Sequence, residues 1–336
     1  MKAIVFDRFG DPAEVLQVRE LQTPEPGPGQ VRVRMLASPI NPSDLLYIRG
    51  EYGKQPRLPT SSGFEGAGIV EAAGKGLLGR LRLGRRVAVL NGIGGNWQEQ
   101  VIVPARQVVP IPADLPDEQA ATFFVNPASA LVMVRSVLKI SRGAWLVQTA
   151  AGSALGRMVI HLGKLYGFRT INIVRRRDQV EELRQAGGDA TICTADEPIE
   201  QRVLAITEGQ GAPFAIDAVG GATGSAVARS LAPAGRMLVY GTLSSEPLSI
   251  DPRVLIAGQK SVAGFWLSEW VRRQPVLSML SLFRRIKKLL GQGVLNTDVG
   301  QTFPLDDIKT AVRTAAAPGR RGKVLLRIAS AKVIGH

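Results

Sequence analysis

Ala144-Trp-Leu-Val-Gln-Thr149, then Ala150-Ala-Gly-Ser-Ala-Leu-Gly156, and, a helix later, Thr170-Ile-Asn-Ile-Val174 running into Arg175-Arg176-Arg177 read as strand, tight turn, helix and second strand. The order predicts a dinucleotide site. Small residues in the turn let the backbone approach a pyrophosphate, and Gly152, Ser153, Ala154 and Leu155 would meet it at a helix N-terminus, where free N–H groups and the helix dipole favour an anion. Leu155, Met158, Val159, Leu162 and Leu165 recur at helical spacing, so one face of that helix can lie on a sheet. Where an NAD-binding chain offers an acid to the ribose 2′-hydroxyl, this one offers Arg175, Arg176 and Arg177, which suit a 2′-phosphate. NADP(H) is therefore expected in preference to NAD(H). The turn departs from G-x-G-x-x-G, with only Gly152 and Gly156, and the plainer alternative is an ordinary βαβ turn.

The chain has 336 residues, about twice the usual single-domain length, and 45% of them are hydrophobic, ample for two cores. No apolar run reaches the ~20 residues of a membrane span, and Asp7 and Arg8 interrupt the N-terminus before a signal-peptide core can form. A cytoplasmic location without a membrane partner is the expectation. The single Cys193 excludes an intrachain disulfide. A net charge of +14 raises the question of nucleic acid. The cations, however, are scattered through folded segments, with local clusters at Arg80 to Arg86, Arg284 to Lys288 and Arg320 to Lys323, and no nucleic-acid motif accompanies them. They read as solvated surface whose field would steer polyanions such as NADPH, a coenzyme A thioester or an acidic carrier protein.

Two textures divide the chain. Up to about residue 110, short β-like runs (Ala3 to Phe6, Val31 to Ser38, Gly68 to Ala73, Arg86 to Leu90, Glu99 to Val103) are separated by Pro and Gly turns, as in a small β-barrel-like domain. From Asn126 to Leu267 strands and helices alternate, the pattern of a doubly wound parallel sheet. An amphipathic helix from Val276 to Leu290, a helix to Ala315 and a strand from Lys323 to Ile328 complete the chain and are expected to rejoin the first domain. The expected division is 1–125 with 268–336, and 126–267.

Asn41-Pro-Ser-Asp44, Gly63-Phe-Glu-Gly-Ala-Gly68, the dinucleotide turn and Gly322-Lys-Val-Leu-Leu326, in that order, resemble the medium-chain dehydrogenase/reductase superfamily. The resemblance implies an α/β fold in which a GroES-like domain is split around a Rossmann domain. Within the superfamily, Pro39-Ile-Asn-Pro-Ser-Asp44, Gly50-Glu-Tyr-Gly53, Val125-Asn-Pro127, Thr170-Ile-Asn-Ile-Val-Arg175 and Gly264-Phe-Trp-Leu-Ser268 are most similar to the 2-enoyl thioester reductases of the mitochondrial type.

Many members of the superfamily are zinc alcohol dehydrogenases, and catalytic zinc needs three ligands drawn from Cys, His or carboxylate. Where zinc relatives carry a Cys shortly before Asp, this chain has Asn41; where they carry His before Glu-Gly, it has Phe64. His161, Cys193 and His336 sit in parts of the chain not expected to meet. No metal is expected. Without a Lewis acid, conjugate hydride transfer to an activated alkene is more accessible than reduction of an isolated carbonyl. The resemblance points to Tyr52 as donor to the developing enolate, a task suited to a neutral phenol; the alternative is a packing tyrosine.

The same resemblance makes Asn126 a nicotinamide-side contact, against a helix N-cap, and sets Phe265, Trp266 and Leu267 beside the nicotinamide. Trp266 and Trp270 could instead pack a homodimer interface. Tyr240, Gly241, Thr242 and Leu243 follow a strand end, where open α/β sheets face their ligand. Lys323 could reach a cofactor phosphate or be one more surface cation. The expectation is an NADPH-dependent, zinc-independent reductase of 2-enoyl thioesters. The alternatives are a quinone or α,β-unsaturated carbonyl reductase, and a nucleotide-binding protein without catalysis.

Overall fold

The computed structural model describes residues 1–53 and 55–329. Two compact units emerge, residues 1–125 with the chain from Phe283, and residues 126–282. The second boundary falls inside the helix Val276–Gly291, so residues 268–282 group with the second unit and not, as expected, with the first.

Seven strands precede the second unit: β1 (Lys2–Val5), β2 (Gln17–Glu20), β3 (Gln30–Pro39), β4 (Glu65–Ala73), β5 (Arg86–Leu90), β6 (Gln100–Pro104) and β7 (Val108–Pro110). Six lie within it: β8 (Trp145–Gln148), β9 (Arg169–Val174), β10 (Ala190–Cys193), β11 (Ala212–Asp217), β12 (Leu231–Val239) and β13 (Ser261–Gly264). Two follow, β14 (Val299–Pro304) and β15 (Lys323–Arg327).

In the first unit the sheet runs β14-β15-β3-β4-β5-β7, with β6 also on β3. Strand alternation sets its faces. Val31, Val33 and Met35 are fully buried, whereas Arg32 and Arg34 between them turn outward, and Arg34 meets Glu71 at 2.8 Å. β15 pairs antiparallel with β3, Leu325 opposite Pro39 and Leu326 opposite Ser38, so the end of the described chain closes the sheet begun near its start.

In the second unit all six strands are parallel, in the order β10-β9-β8-β11-β12-β13. Numbered within the unit, that is 3-2-1-4-5-6, the Rossmann order, whose reversal between β8 and β11 opens the ligand crevice at the strands' carboxyl ends. Leu146, Val147, Ile171 and Ile216 are wholly buried, as a sheet covered on both faces requires. On the helix Ala154–Tyr166, Leu155, Met158, Val159 and Leu162 are buried as expected, but Leu165 is 46% exposed. The buried stripe continues instead at the half-buried Tyr166, whose ring carries the Arg135 guanidinium 4.6 Å above its centroid. Gly167 then ends the helix at φ 75°, a left-handed conformation that favours glycine.

Candidate functional site

In the second unit β8 turns into its helix through Ala150, which holds a left-handed φ of 49°. The strain of the tight turn thus rests on an alanine. Ser153 caps the helix, its hydroxyl accepting from the Gly156 N–H at 3.1 Å. A Cβ at Gly156 would stand 2.3 Å from the Ala151 carbonyl oxygen, so the close strand–helix approach requires glycine there. The turn, the N-terminus of a thirteen-residue helix and three guanidiniums at the end of β9 lie along one edge of the unit, and this donor set fits a phosphorylated dinucleotide.

The three arginines differ in what they already hold. Arg177 is ion-paired with Asp196 and Arg176 with Asp178 at 3.1 Å. Arg175 is exposed and makes no ion pair among the described residues. Of the three guanidiniums it alone is not held by a carboxylate among the described residues.

Two features of this edge carried no sequence signal. Asp217, fully buried at the end of β11, accepts from the Thr149 hydroxyl at 2.6 Å and from the Val219 and Gly220 N–H groups at 3.0 Å. This clamp ties β8 to β11 at the point where strand order reverses. Gln179 is the other: its side-chain amide lies directly over Gly152, 2.2 Å from where a Cβ would be. A Thr and an Asp 68 positions apart, or a Gln two residues beyond the arginines, have no motif to announce them.

Tyr240 follows β12, its N–H donating to the Asp217 carbonyl at 2.8 Å. Burial, then the Asp217 carboxylate, pushes its phenol above the usual tyrosine range, so it stays protonated. Gly241 fits against Ala218, whose carbonyl oxygen would be 2.7 Å from an added Cβ. Thr242 accepts from the Ser245 N–H at 3.0 Å, Leu243 is 55% exposed, and Phe265 donates its N–H to the Val239 carbonyl at 2.7 Å. Trp266 is 42% exposed, just ahead of the helix Leu267–Arg272. Asn126 lies inside the helix Val125–Val132, in its first turn, and is not the N-cap.

The first unit carries a buried polar cluster. Lys323, read as reaching a phosphate or lying on the surface, is 4% exposed and donates to the Asn41 Oδ1 at 2.6 Å. The surface reading is corrected: β15 runs through the core of this unit, so its first side chain is enclosed. Asn41 Nδ2 donates to Glu65 Oε1 at 3.1 Å, and Glu65 Oε2 accepts the N–H groups of Phe124 at 3.1 Å and Val125 at 2.8 Å. Asp44 Oδ2 accepts from the Asn41 N–H at 2.7 Å, and its Oδ1 from Gly63 and Phe64 at 3.2 and 3.1 Å. Burial pushes Asp44 up to about 7 and, acting chiefly the same way, raises Glu65; it brings Lys323 down to about 8. Each shift disfavours the charged form in a dry interior.

A pH dependence follows for Asp44. Its folded pKa exceeds its ordinary 3.8, so between 3.8 and about 7 the native state binds more protons than the unfolded chain at this site. Its contribution to stability therefore falls as pH rises through that window. Thermal melts at steps of pH should show a steeper decline for the wild type than for Asp44→Asn. Parallel curves would remove Asp44 as the cause.

Phe64 and Asn41 occupy the two positions at which zinc relatives carry ligands. The Phe64 ring stacks on Tyr52 at a centroid distance of 5.1 Å, tilted 34°, and meets Tyr47 edge-on at 5.2 Å. Tyr47 also meets Tyr52 edge-on at 6.3 Å and donates its hydroxyl to the Ile93 carbonyl at 2.6 Å. Tyr52 is thus half-buried against two rings. Among the described residues no three His, Cys, Asp or Glu side chains are grouped to hold a metal ion; His336 lies outside them, and Cys193 is buried at the end of β10.

Comparison with known proteins agrees with this architecture. Residues 27–113 match the alcohol dehydrogenase GroES-like domain family, and residues 154–283 the zinc-binding dehydrogenase family. The mitochondrial enoyl-[acyl-carrier-protein] reductase of Rattus norvegicus is 32% identical over 95% of this chain and 86% of its own; that of Homo sapiens is 31% identical over 97% and 88%. Among solved structures, a quinone oxidoreductase of Escherichia coli complexed with NADPH superposes with a TM-score of 0.90 at 25% identity, over 97% of this chain and all of the other. The quinone oxidoreductase of Pseudomonas syringae gives 0.89 at 27%, over 97% and 99%. The chain belongs to the medium-chain dehydrogenase/reductase superfamily of oxidoreductases, in the branch that holds the enoyl reductases and quinone oxidoreductases.

Proposed function

We propose that this protein is an NADPH-dependent, zinc-independent reductase of activated carbon–carbon double bonds, with 2-enoyl thioesters as its substrate class. One observation carries the reading. Both positions that would ligate zinc are committed elsewhere, Asn41 with its amide held by Lys323 and Glu65, Phe64 as the wall on which Tyr52 stacks. NADPH, when bound, supplies the hydride that adds to the β-carbon. Gly152 to Leu155 would hold its pyrophosphate and Arg175 its 2′-phosphate. The Tyr52 hydroxyl donates a hydrogen bond to the thioester oxygen as enolate charge develops there, and the α-carbon then takes a proton. In this reading Asn126, Tyr240, Gly241, Thr242, Leu243, Phe265, Trp266 and Leu267 line the cofactor site. Lys323, its ammonium held by Asn41, is in this reading a further cofactor contact.

NADPH consumption should be fastest with crotonyl-CoA or a longer enoyl thioester and slower with a quinone or a simple enone. The reverse ranking would favour the quinone reading, to which the two quinone oxidoreductase structures lend weight. Exhaustive chelation should leave the rate unchanged. Activity lost on removing stoichiometric zinc and restored by adding it would overturn the assignment of Asn41 and Phe64.

The protein is further proposed to be a homodimer. β13 is an edge strand with an exposed backbone row, and Ile256, Trp266, Val276 and Leu277 are exposed apolar side chains of the same unit. Sedimentation should give twice the 36.0 kDa chain mass; a monomer at all concentrations would exclude it. No helix of the described residues is long and apolar enough to cross a membrane, and a cytoplasmic location stays part of this proposal.

A further inference from the structure

We propose that the loop from Lys75 to Arg85 is a lipid-surface contact, placing leucines among the headgroups of an anionic membrane while its cations meet their phosphates. In Lys75-Gly-Leu-Leu-Gly-Arg-Leu-Arg-Leu-Gly-Arg85, Leu77 is 75% and Leu81 61% exposed, and Leu78 and Leu83 are exposed beside them. Four exposed leucines within seven residues are more than the scattered apolar side chains of an ordinary surface. The loop is anchored at both ends. The Gly29 N–H donates to the Lys75 carbonyl at 2.7 Å, and the Gly84 N–H to the Val70 carbonyl of β4 at 2.9 Å. Gly76 at φ 136° and Gly84 at φ 69° turn the chain on either side of a single helical turn, Leu77–Arg80, so the leucines are held out by ordered backbone.

The charge here is uncompensated. Lys75, Arg80, Arg82 and Arg85 make no ion pair among the described residues, and the nearby carboxylates are committed, Glu71 to Arg34 and Asp117 to Arg86. Arg82 has a buried Nε with no hydrogen-bond partner, an unmet donor on a cation. Burial and then Arg85 lower its pKa, and burial and then Arg82 lower that of Lys287, so Arg82 feels like charge from both Arg85 and Lys287. An anion brought to this face meets the exposed Lys75, Arg80 and Arg85, none of which is ion-paired among the described residues.

Composition selects the occupant. Protein interfaces are anchored by Trp, Tyr and Arg, and leucine is under-represented among their hot spots, whereas leucines flanked by Lys and Arg are the pattern of interfacial membrane binding. The sequence led to no expected membrane partner because it has no spanning segment. A loop that lies on a surface leaves no such signature in hydropathy.

The whole protein is tested by co-sedimentation with vesicles of phosphatidylcholine and phosphatidylglycerol in equal parts, against phosphatidylcholine alone. The expected result is binding to the anionic vesicles only, weakened by salt. Each cation near such a surface strengthens partition by about fivefold, so R80Q/R85Q should weaken it by about twenty-fivefold. L77S/L81S, with the charge unchanged, should weaken it by about tenfold or more. NADPH consumption should not change in either variant, and should one fail to fold the other decides. Absence of wild-type binding at low salt, or binding by both variants as tight as that of the wild type, overturns the proposal. So does a change in oligomeric mass in these variants, or an acidic carrier protein bound through this loop while vesicles are ignored.

Discussion

Tyr52→Phe should lower kcat for an enoyl thioester by about a hundredfold, the scale of one lost oxyanion or acid contact, while NADPH affinity changes little. The substitution isolates the hydroxyl. Because the Tyr52 ring is held by Phe64 at 5.1 Å and Tyr47 at 6.3 Å, a phenylalanine keeps both contacts and removes only the oxygen. A fall in kcat with an unchanged melting temperature would then belong to chemistry and not to packing. Phe64→Ala offers the converse. It leaves the hydroxyl and removes the wall, so loss there measures how much of the hydroxyl's work depends on being held. Undiminished kcat and kcat/KM in Tyr52→Phe would reduce Tyr52 to a pocket wall and favour the quinone reading.

The two architectures were legible because each rests on a period. Val31, Val33 and Met35 alternate with Arg32 and Arg34 as one buried face demands, and the strands from β8 to β13 recur between helices as a parallel sheet demands. Leu165 shows the limit: a residue on the flank of a helical stripe matches the pattern, and only packing shows that Tyr166 continues it. The surface alternative for Lys323 failed for a related reason. Its neighbours Arg320 and Arg321 are exposed, yet the strand that begins at Lys323 enters the core and takes the ammonium with it. The Thr149–Asp217 clamp and the Gln179 amide over Gly152 join residues distant in sequence, which no local pattern records. The Arg80 to Arg86 cluster was visible, but whether its charges were paired depended on carboxylates elsewhere in the chain.

The three arginines at the end of β9 should contribute unequally to cofactor choice. Arg175→Gln should weaken NADPH binding by about ten- to a hundredfold, the worth of one charge-assisted hydrogen bond to a phosphate, and leave NADH binding nearly unchanged. Arg177→Gln should do much less. Its guanidinium is already paired with Asp196, and reaching a phosphate would mean giving up that ion pair for the new one. Arg176, paired with Asp178 at 3.1 Å, should fall between them. Asp196→Asn discriminates further: freeing Arg177 from its partner should widen the preference for NADPH over NADH, because a second cation becomes available to the same phosphate. Direct titration of both cofactors by fluorescence checks the series without depending on turnover. Equal NADPH and NADH affinities in the unaltered protein would sink the 2′-phosphate assignment. A larger loss in Arg177→Gln than in Arg175→Gln would show that the Asp196 pair opens when the cofactor binds.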